Sequence, residues 1–316
     1  MLETNNSRTV LLDEPRSSFA GPLRRTDLSW LEVFFRELPE PLADVNPLVV
    51  LAWRESAHLE YIVESEVLYL FGDTDFGRVL WTPPLAKAEP SRCHIRRGLE
   101  LLRENKGGSG AGIILNLWKE YPLWSELACD PAFAIACNST EYHYDTSAVA
   151  ALAGQGLRKK RADARFFLNK YKPIVMPFEP KLVPECLALL DEWLIQKRGR
   201  CNMTALGKAE REYQVCKTAL QDHLPLLGIV CAVGPRLVAF SLGVAHRSAE
   251  FNCIFEKTDL DLRGSSAFAF SALAKSLLGR FARINAGEDW GLPSLALAKR
   301  LWRPVLTRPT FRLAER

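Results

Sequence analysis

The stretch LPLLGIVCAVGPRLVAFSLGVA, residues 224–245, decides how the second half of this chain folds. Its length and apolar character would suit a helix that spans a membrane. However, the triplet Gly234-Pro235-Arg236 stands in its middle, and this triplet is turn chemistry between two runs rich in β-branched and apolar residues. A spanning helix would carry Pro and Arg at the centre of the bilayer. The stretch therefore predicts a hairpin of two buried strands.

The segments on either side of the hairpin extend this pattern into a mixed fold. An antiparallel meander followed by a helix and a returning strand is the order expected of a GNAT-like α+β fold. Hydrophobic periodicity and turn residues predict the remaining elements of this half. They are strand 174–178, helices 183–197 and 207–222, strand 250–257, a turn at Gly264, helix 265–278, strand 281–285, helix 293–300 and a last strand near 305–312.

The first half of the chain has a looser version of the same content. Its predicted elements are helix 27–38, a meander over 59–82, helix 93–104, a flexible turn at Gly107-Gly108-Ser109-Gly110, strands 112–118 and 133–138, and helices 147–153 and 160–171. The predicted fold class is α+β with tandem GNAT-like domains. The expected domains are a flexible arm over 1–22, an N-terminal GNAT-like domain over 23–146, a basic helical bridge over 147–172 and a C-terminal GNAT-like domain over 173–316.

Composition places the chain among globular proteins without indicating a bound metal. Its 316 residues are 48% hydrophobic and 25% charged, which is typical of a protein that buries a core. The eight cysteines include no C-x-x-C pair, and none of the five histidines pairs with another at ligand spacing. The polar start of the chain does not resemble a signal peptide. We therefore expect a cytoplasmic protein with reduced thiols, no metal and no cofactor.

Positive charge is concentrated in two segments of a nearly neutral chain. The net charge is +4, yet residues 158–172 carry seven Lys or Arg against one Asp, and residues 299–316 carry six against one Glu. Such clusters are typical of contacts with a polyanion. Solvated helix faces are the alternative interpretation of each cluster.

Two further stretches, FEKTDLDLRG (255–264) and INAGEDWGLPSLALAKRLWRP (284–304), carry a family resemblance. Both resemble the C-terminal domain of the phosphatidylglycerol lysyltransferases. A third stretch, EYHYDTSAVAALAGQGLRKKRADARFFLNKY (141–171), is similar to the tyrosine-rich lead-in, basic cluster and Phe of that family. The chain departs from the family pattern at Asn285-Ala286-Gly287, at Leu295-Ala296 and at Ala162. The positions that match the motif are Glu256, Lys257, Asp259, Gly264, Asn285, Asp289, Gly291, Leu295, Lys299 and Pro304.

The resemblance implies an aminoacyltransferase with its chemistry in the C-terminal half. In this family an aminoacyl group passes from a charged tRNA through a channel to an acceptor. The implied partners are charged tRNA and an amine- or hydroxyl-bearing acceptor, which could be a small molecule, a peptide or a lipid head group. The resemblance does not extend to the multi-span membrane portion of many lysyltransferases, so we expect at most peripheral contact with a membrane.

Such a transfer needs a positioned acceptor, a group that takes its proton and stabilisation of the oxyanion. Asp289 is the first candidate for binding the donor ammonium or taking the proton, and the alternative is a helix N-cap. Asn285 lies beside it and is a further catalytic candidate, as are Glu256 and Lys257. Glu256 and Lys257 would form an ion pair at the channel mouth, although neighbours on a strand point to opposite faces and one could be solvated. The candidate substrate-binding residues are Lys299, Arg303, Asp259, Gly264 and Tyr144. Of these, Lys299 and Arg303 would hold the terminal phosphates of tRNA, and the alternative is positive charge that complements the C-terminus of a helix. The candidate contacts to tRNA or an anionic head group are Arg158, Lys159, Lys160 and Arg161.

Two other classes of function remain open at this point. An acyl-CoA-dependent N-acyltransferase needs a glycine-rich turn that cradles pyrophosphate at a helix N-terminus. Residues 261–266 offer one Arg and one Gly but not the full pattern. A non-catalytic module that binds tRNA or a membrane would need the acidic motif residues to be dispensable.

Overall fold

The structure is a computed structural model that describes residues 18–36, 38–104, 112–246 and 249–316. Residues 1–17 of the predicted arm and the predicted Gly107–Gly110 turn lie outside the described residues. Ser18–Pro22 were predicted to belong to the arm, but they form a strand. They do so because Phe19 packs edge-on against Trp30 and Tyr61, with ring centroids 5.4 and 5.6 Å away.

The first half follows the predicted order of elements and adds two helices and two short strands to it. They are β1 (Ser18–Pro22), α1 (Leu28–Phe35), α2 (Pro47–Trp53), β2 (Glu60–Glu64), β3 (Val67–Thr74), β4 (Gly77–Leu80), β5 (Leu85–Ala86), α3 (Arg92–Glu104), β6 (Ile113–Leu117), α4 (Trp124–Cys129), β7 (Phe133–Asp145), α5 (Thr146–Ala151) and α6 (Arg158–Tyr171).

The second half matches the predicted elements one by one. They are β8 (Ile174–Pro177), α7 (Val183–Arg198), α8 (Met203–Gln221), β9 (Leu227–Val233), β10 (Arg236–His246), β11 (Glu250–Thr258), α9 (Ser265–Leu277), β12 (Arg283–Glu288), α10 (Pro293–Arg300) and β13 (Leu306–Glu315).

The strands form one continuous sheet in the order β1-β2-β3-β4-β6-β13-β7-β12-β11-β10-β9-β8, with β5 paired to β3. The last strand of the chain, β13, lies between β6 and β7, so it connects the strands of the two halves. The strand β7 pairs with both β13 and β12. The predicted domain boundaries stay a prediction.

Helices cover the second half of the sheet and enclose two apolar clusters. On one side, α9 packs on β9, β10 and β11, and α5 and α6 pack on α9. In the other group, α7 packs on β10 and β11, and α8 packs on α7. Phe167, Phe270 and Ile284 belong to the cluster around α9, and Trp193 and Phe240 belong to a second cluster, which reaches from α7 into the first half of the chain. Both faces of β11 are therefore covered, which explains its almost uninterrupted apolar or buried character.

The predicted hairpin over 224–245 is confirmed. β9 and β10 pair antiparallel on either side of the turn at Gly234-Pro235. Across the described part of the chain, no helix has both the length and the apolar character that a membrane crossing requires.

The predictions missed α2, which has a consequence for the site. Its start is well defined: Asn46 is the N-cap, its side chain accepts a hydrogen bond from the Leu48 N–H, and Pro47 occupies the first turn. The helix and the loop before it bring Trp53 and Asp44 against the motif residues of the second half.

Candidate functional site

The candidate site opens where two neighbouring strands separate. β11 and β12 run parallel and pair only from Glu250 with Arg283 to Asn252 with Asn285. The residues that follow in each strand line a cavity of about 370 Å³. Separation of the strands thus exposes the motif-bearing ends of β11 and β12 to a common space.

Glu256 and Lys257 both line this cavity, and each is tied to a different helix. Glu256 accepts a hydrogen bond of 2.8 Å from the Ser266 hydroxyl of α9, whereas the Lys257 ammonium donates to Glu212 of α8 at 2.5 Å. They point to opposite faces as expected, and the expected ion pair between them is wrong, because Lys257 is buried and pairs with Glu212 whereas Glu256 is partly exposed on the other face. Burial raises the pKa of Glu256, and nearby lysines only partly offset this.

Lys299 extends into the cavity from α10 instead of pointing into solvent. Its ammonium donates to the carbonyl oxygens of Ala286 and Gly287. Burial lowers the pKa of Lys299, and surrounding acidic groups oppose this effect. Tyr144, which also lines the cavity, donates its hydroxyl to the Lys299 carbonyl at 2.9 Å and so anchors the end of α10.

A second cavity of about 520 Å³ lies next to the first. The two cavities share four lining residues, and we call these residues the waist: Asp44, Trp53, Glu288 and Trp290. Asp44 and Trp53 come from the N-terminal half, Glu288 is the last residue of β12, and Trp290 lies in the turn after it. The waist is therefore assembled from both halves of the chain.

The two carboxyl groups of the waist resist ionisation. Burial, with the charge of Glu141 added, raises the pKa of Asp44 to about 7, and Lys299 opposes this rise. Burial together with Asp44 and Glu141 raises the pKa of Glu288 well above its ordinary value. Like charges in a desolvated site cannot all be present, so the waist holds protons near neutral pH.

Asn285 does not line either cavity, but it contacts the waist indirectly through Glu141. Its amide donates to Glu141 at 3.3 Å, and Glu141 in turn accepts the Ala43 N–H at 2.6 Å. Ala43 precedes Asp44 in the chain. This motif residue therefore positions the waist through Glu141.

Asp289, predicted to be catalytic, also lies outside the lining of both cavities. One of its oxygens accepts hydrogen bonds from the Ser139 hydroxyl and the Gly291 N–H, and the other accepts from the Tyr142 hydroxyl. Asp289 is not the N-cap of α10, since that position is Leu292. Its catalytic role stays a prediction, and its observed contacts hold the turn after β12 against β7.

Replacing Asp289 with Asn is expected to lower the free energy of unfolding by about 1–2 kcal/mol, because the three donors lose a charged acceptor. Denaturant unfolding measures this, with Asp261→Asn as a control at an exposed site on the same half. A catalytic role would give a different result: transfer slowed about 10²–10⁴-fold with stability unchanged.

Three other predicted residues lie around the cavity without lining it. Asp259 pairs with Arg236 at 2.8 Å and accepts from Gln196, so it ties the hairpin to α7. Gly264 is the N-cap residue of α9. Arg303 is exposed beside Gly156, at a separate surface pocket that also includes Tyr144.

The predicted RKKR cluster divides into different environments. Arg158 and Lys159 are exposed on α6. Lys160 lies 4.6 Å from the centre of the Trp302 ring and lines the first cavity, where burial lowers its pKa. Arg161 donates to the backbone carbonyls of Leu152 and Gly154. Only Arg158 and Lys159 of this cluster are free to meet a large polyanion from solvent.

The second basic segment is likewise spread over several surfaces. Arg308 pairs with Glu120 at 2.7 Å, and Arg312 stacks over Phe76 in the lining of the second cavity. Together with the inward-pointing Lys299, these contacts show that the segment does not form one continuous basic patch.

Comparison with solved structures defines the class of fold. The chain resembles a conserved protein of unknown function from Bacteroides thetaiotaomicron with a TM-score of 0.79 at 20% identity, covering 94% of this chain and 99% of that one. It resembles the C-terminal domain of a putative lysylphosphatidylglycerol synthetase from Agrobacterium fabrum with a TM-score of 0.64 at 14% identity, over 92% of each chain. For L-PGS from Bacillus licheniformis the TM-score is 0.63 at 14% identity, over 91% of each chain. The predicted α+β, tandem GNAT-like class is confirmed.

The family follows from the sequence. The family model described as phosphatidylglycerol lysyltransferase, C-terminal, matches residues 48–314. The chain belongs to this family, as the motif residues predicted, and the match extends well into the N-terminal half. No curated protein matches the chain significantly.

Proposed function

We propose that this protein transfers an aminoacyl group from a charged tRNA to an amine- or hydroxyl-bearing acceptor within the joined cavities. The observation that carries the proposal is the pair of cavities that meet at the waist, with the motif residues Glu256, Lys257 and Lys299 lining one of them. Two joined spaces suit a reaction in which two substrates approach from different sides. Membership of a transferase family supports the same reaction class.

The chemistry of the first cavity suits attack on an ester. An aminoacyl-tRNA is already activated, so the protein has to align the nucleophile, accept its proton and stabilise the oxyanion. A lysine ammonium has three N–H groups, and Lys299 uses two of them on Ala286 and Gly287. Among the described residues its third N–H has no hydrogen-bond acceptor, which leaves it for the carbonyl oxygen of the ester.

The surroundings of α9 favour this donor over acyl-CoA. In the alternative reaction, the N-terminus of α9 would cradle a pyrophosphate. Here α6 packs on that terminus so closely that a Cβ on Gly264 would overlap the Asp163 carbonyl oxygen. The Asp163 carboxylate pairs with Arg263 at 3.2 Å, which places a negative charge beside the turn and occupies its arginine.

The test is to incubate the protein with a pool of charged tRNAs and acceptors and to measure which aminoacyl ester is consumed. We expect one or a few esters to disappear, and tRNA binding to weaken steeply with salt because phosphates are neutralised. Micromolar binding of acetyl-CoA with no consumption of any aminoacyl ester would instead support the acyl-CoA reaction.

A double variant examines the tRNA contact separately. The double variant Arg158→Ala with Lys159→Ala should reduce the affinity for tRNA, because both side chains are exposed on α6. The slope of log affinity against log salt concentration should become shallower by about two, since two fewer counterions are released on binding. Lys181→Ala, at an exposed lysine outside both basic segments, is the control. Equal loss in the control would show that the protein binds tRNA through overall charge alone.

A further inference from the structure

Two buried side chains at or beside the waist, Glu288 and Asn252, carry polar atoms without a hydrogen-bond partner of good geometry. Glu288 is 9% exposed, and its Oε1 atom makes no hydrogen bond of good geometry within the described chain, although the hydroxyls of Ser139 and Thr310 lie near the carboxyl group and oppose the rise of its pKa. Asn252 lines the first cavity at the point where β11 and β12 separate. It is 1% exposed, and neither its amide nitrogen nor its amide oxygen has a partner within the described chain. Leaving such groups unpaired is costly, so they indicate a ligand that supplies the missing partners.

The walls of the waist specify the chemistry of that ligand. Asp44 and Glu288 supply carboxyl oxygens to both cavities. The indole rings of Trp53 and Trp290 lie beside them, with their centroids 6.0 Å apart. Carboxylates beside tryptophan faces suit an organic cation, because the negative face of an indole attracts a positive charge. No group of three or more His, Cys, Asp or Glu side chains among the described residues is arranged to hold a metal ion.

We propose that Asp44, Glu288, Trp53 and Trp290 bind a primary ammonium group at the junction of the two cavities. The carboxyl oxygens accept its N–H groups, the indoles contact its alkyl chain, and the amide of Asn252 binds a polar group of the same ligand in the first cavity. The inference deepens the proposed function and rests on it, since an aminoacyl donor and an amine acceptor both carry such a group.

Charges from several elements surround this site. Glu141 on β7 adds negative charge behind Asp44 and Glu288, and Lys299 on α10 adds positive charge on the side of the first cavity. The two carboxylate oxygens of Glu141 already accept hydrogen bonds, one from the Ala43 N–H and the other from the Asn285 amide. The two waist carboxyls therefore remain as the acceptors for an ammonium group.

The test is calorimetric titration of the whole protein, without tRNA, with n-butylamine and with alaninamide. The first probe carries an ammonium group alone and stands for an acceptor, and the second carries it beside a carbonyl, as a donor does. We expect at least one amine to bind at least 10-fold more tightly than n-butanol, and the tighter of the two identifies the source. Failure of both amines to bind would overturn the proposal.

Matched variants locate the site. Glu288→Gln and Asp44→Asn should each weaken amine binding about 10–100-fold, the effect of losing a charged acceptor. Glu179→Gln is the control at an exposed glutamate and should leave binding unchanged. Both waist variants remove a carboxyl group whose ionisation is opposed by burial and by neighbouring acidic groups, so their melting temperatures should not fall. Amine binding that is unchanged in both would refute the assignment.

Proton release gives a readout that needs no variant. The waist carboxyls hold protons near pH 7, and an arriving ammonium group favours their ionised form. Binding at pH 7 should release protons, which appears as a heat of binding that varies with the ionisation enthalpy of the buffer. Amine binding without proton release would contradict the proposal. Because this titration contains no tRNA, its outcome does not depend on the charged-tRNA assay. A protein that binds amines but consumes no aminoacyl ester would contradict only the proposed function. A protein that consumes an ester but binds no amine would contradict only the ammonium site.

Discussion

Replacing Lys299 with Met is expected to lower the single-turnover rate of the proposed aminoacyl transfer about 10²–10³-fold, the usual effect of removing a donor that stabilises an oxyanion. Methionine keeps most of the length of the side chain but removes the charge. The affinity for tRNA should change little, because the Lys299 ammonium lies in the cavity and is held by Ala286 and Gly287. Rapid-quench measurement of the transfer step and equilibrium binding of tRNA give the two values separately.

The matched control is Lys159→Met, since Lys159 is an exposed lysine on α6. It should weaken tRNA binding slightly and leave the transfer step intact. Lys299 was also predicted from the sequence to hold the terminal phosphates of tRNA. That role would give the opposite pattern for Lys299→Met: weaker tRNA binding with an unchanged rate of transfer, as expected for a contact made equally in the ground and transition states. Melting curves of Lys299→Met show whether the loss of its two backbone hydrogen bonds also destabilises the protein.

The order of elements was predictable because each depends on local signals. The turn at Gly234-Pro235 sits between two apolar runs, and the helical spacing of α7 and α9 continues over several turns. Glu256, Lys257 and Lys299 could be placed at a common site only through the family resemblance. Their positions in the chain do not show that β11 and β12 separate after Asn252 and Asn285, which is what creates the cavity.

The waist was missed because it depends on contacts between distant parts of the chain. Asp44 and Glu288 are brought together by a sheet that joins both halves, and no local pattern reports that proximity. One signal was present: Asn46-Pro47 before an apolar run is a helix start and would have predicted α2, which carries Trp53.

The role of Gly264 could not be separated from ligand binding by sequence, because close backbone approach to a ligand and close approach to a helix need the same residue. In the structure Gly264 has φ +86°, and the space in front of it is filled by the backbone of α6 at Asp163. The glycine therefore allows α6 to pack against the start of α9. This packing keeps Lys160 of α6 and Ser266 of α9 on the cavity lining.

Gly264→Ala is accordingly expected to lower the free energy of unfolding by at least about 3 kcal/mol, the sum of left-handed backbone strain and forced displacement of α6. Gly279→Ala isolates the first contribution, since Gly279 has φ +75° and no atom lies within 4 Å of the position that its Cβ would take. It should cost about 1–2 kcal/mol. Denaturant unfolding of both variants gives the difference. Equal losses would mean that α6 can move aside without a cost in free energy. A stable Gly264→Ala protein that has lost only its affinity for substrate would instead support the predicted binding role of this glycine.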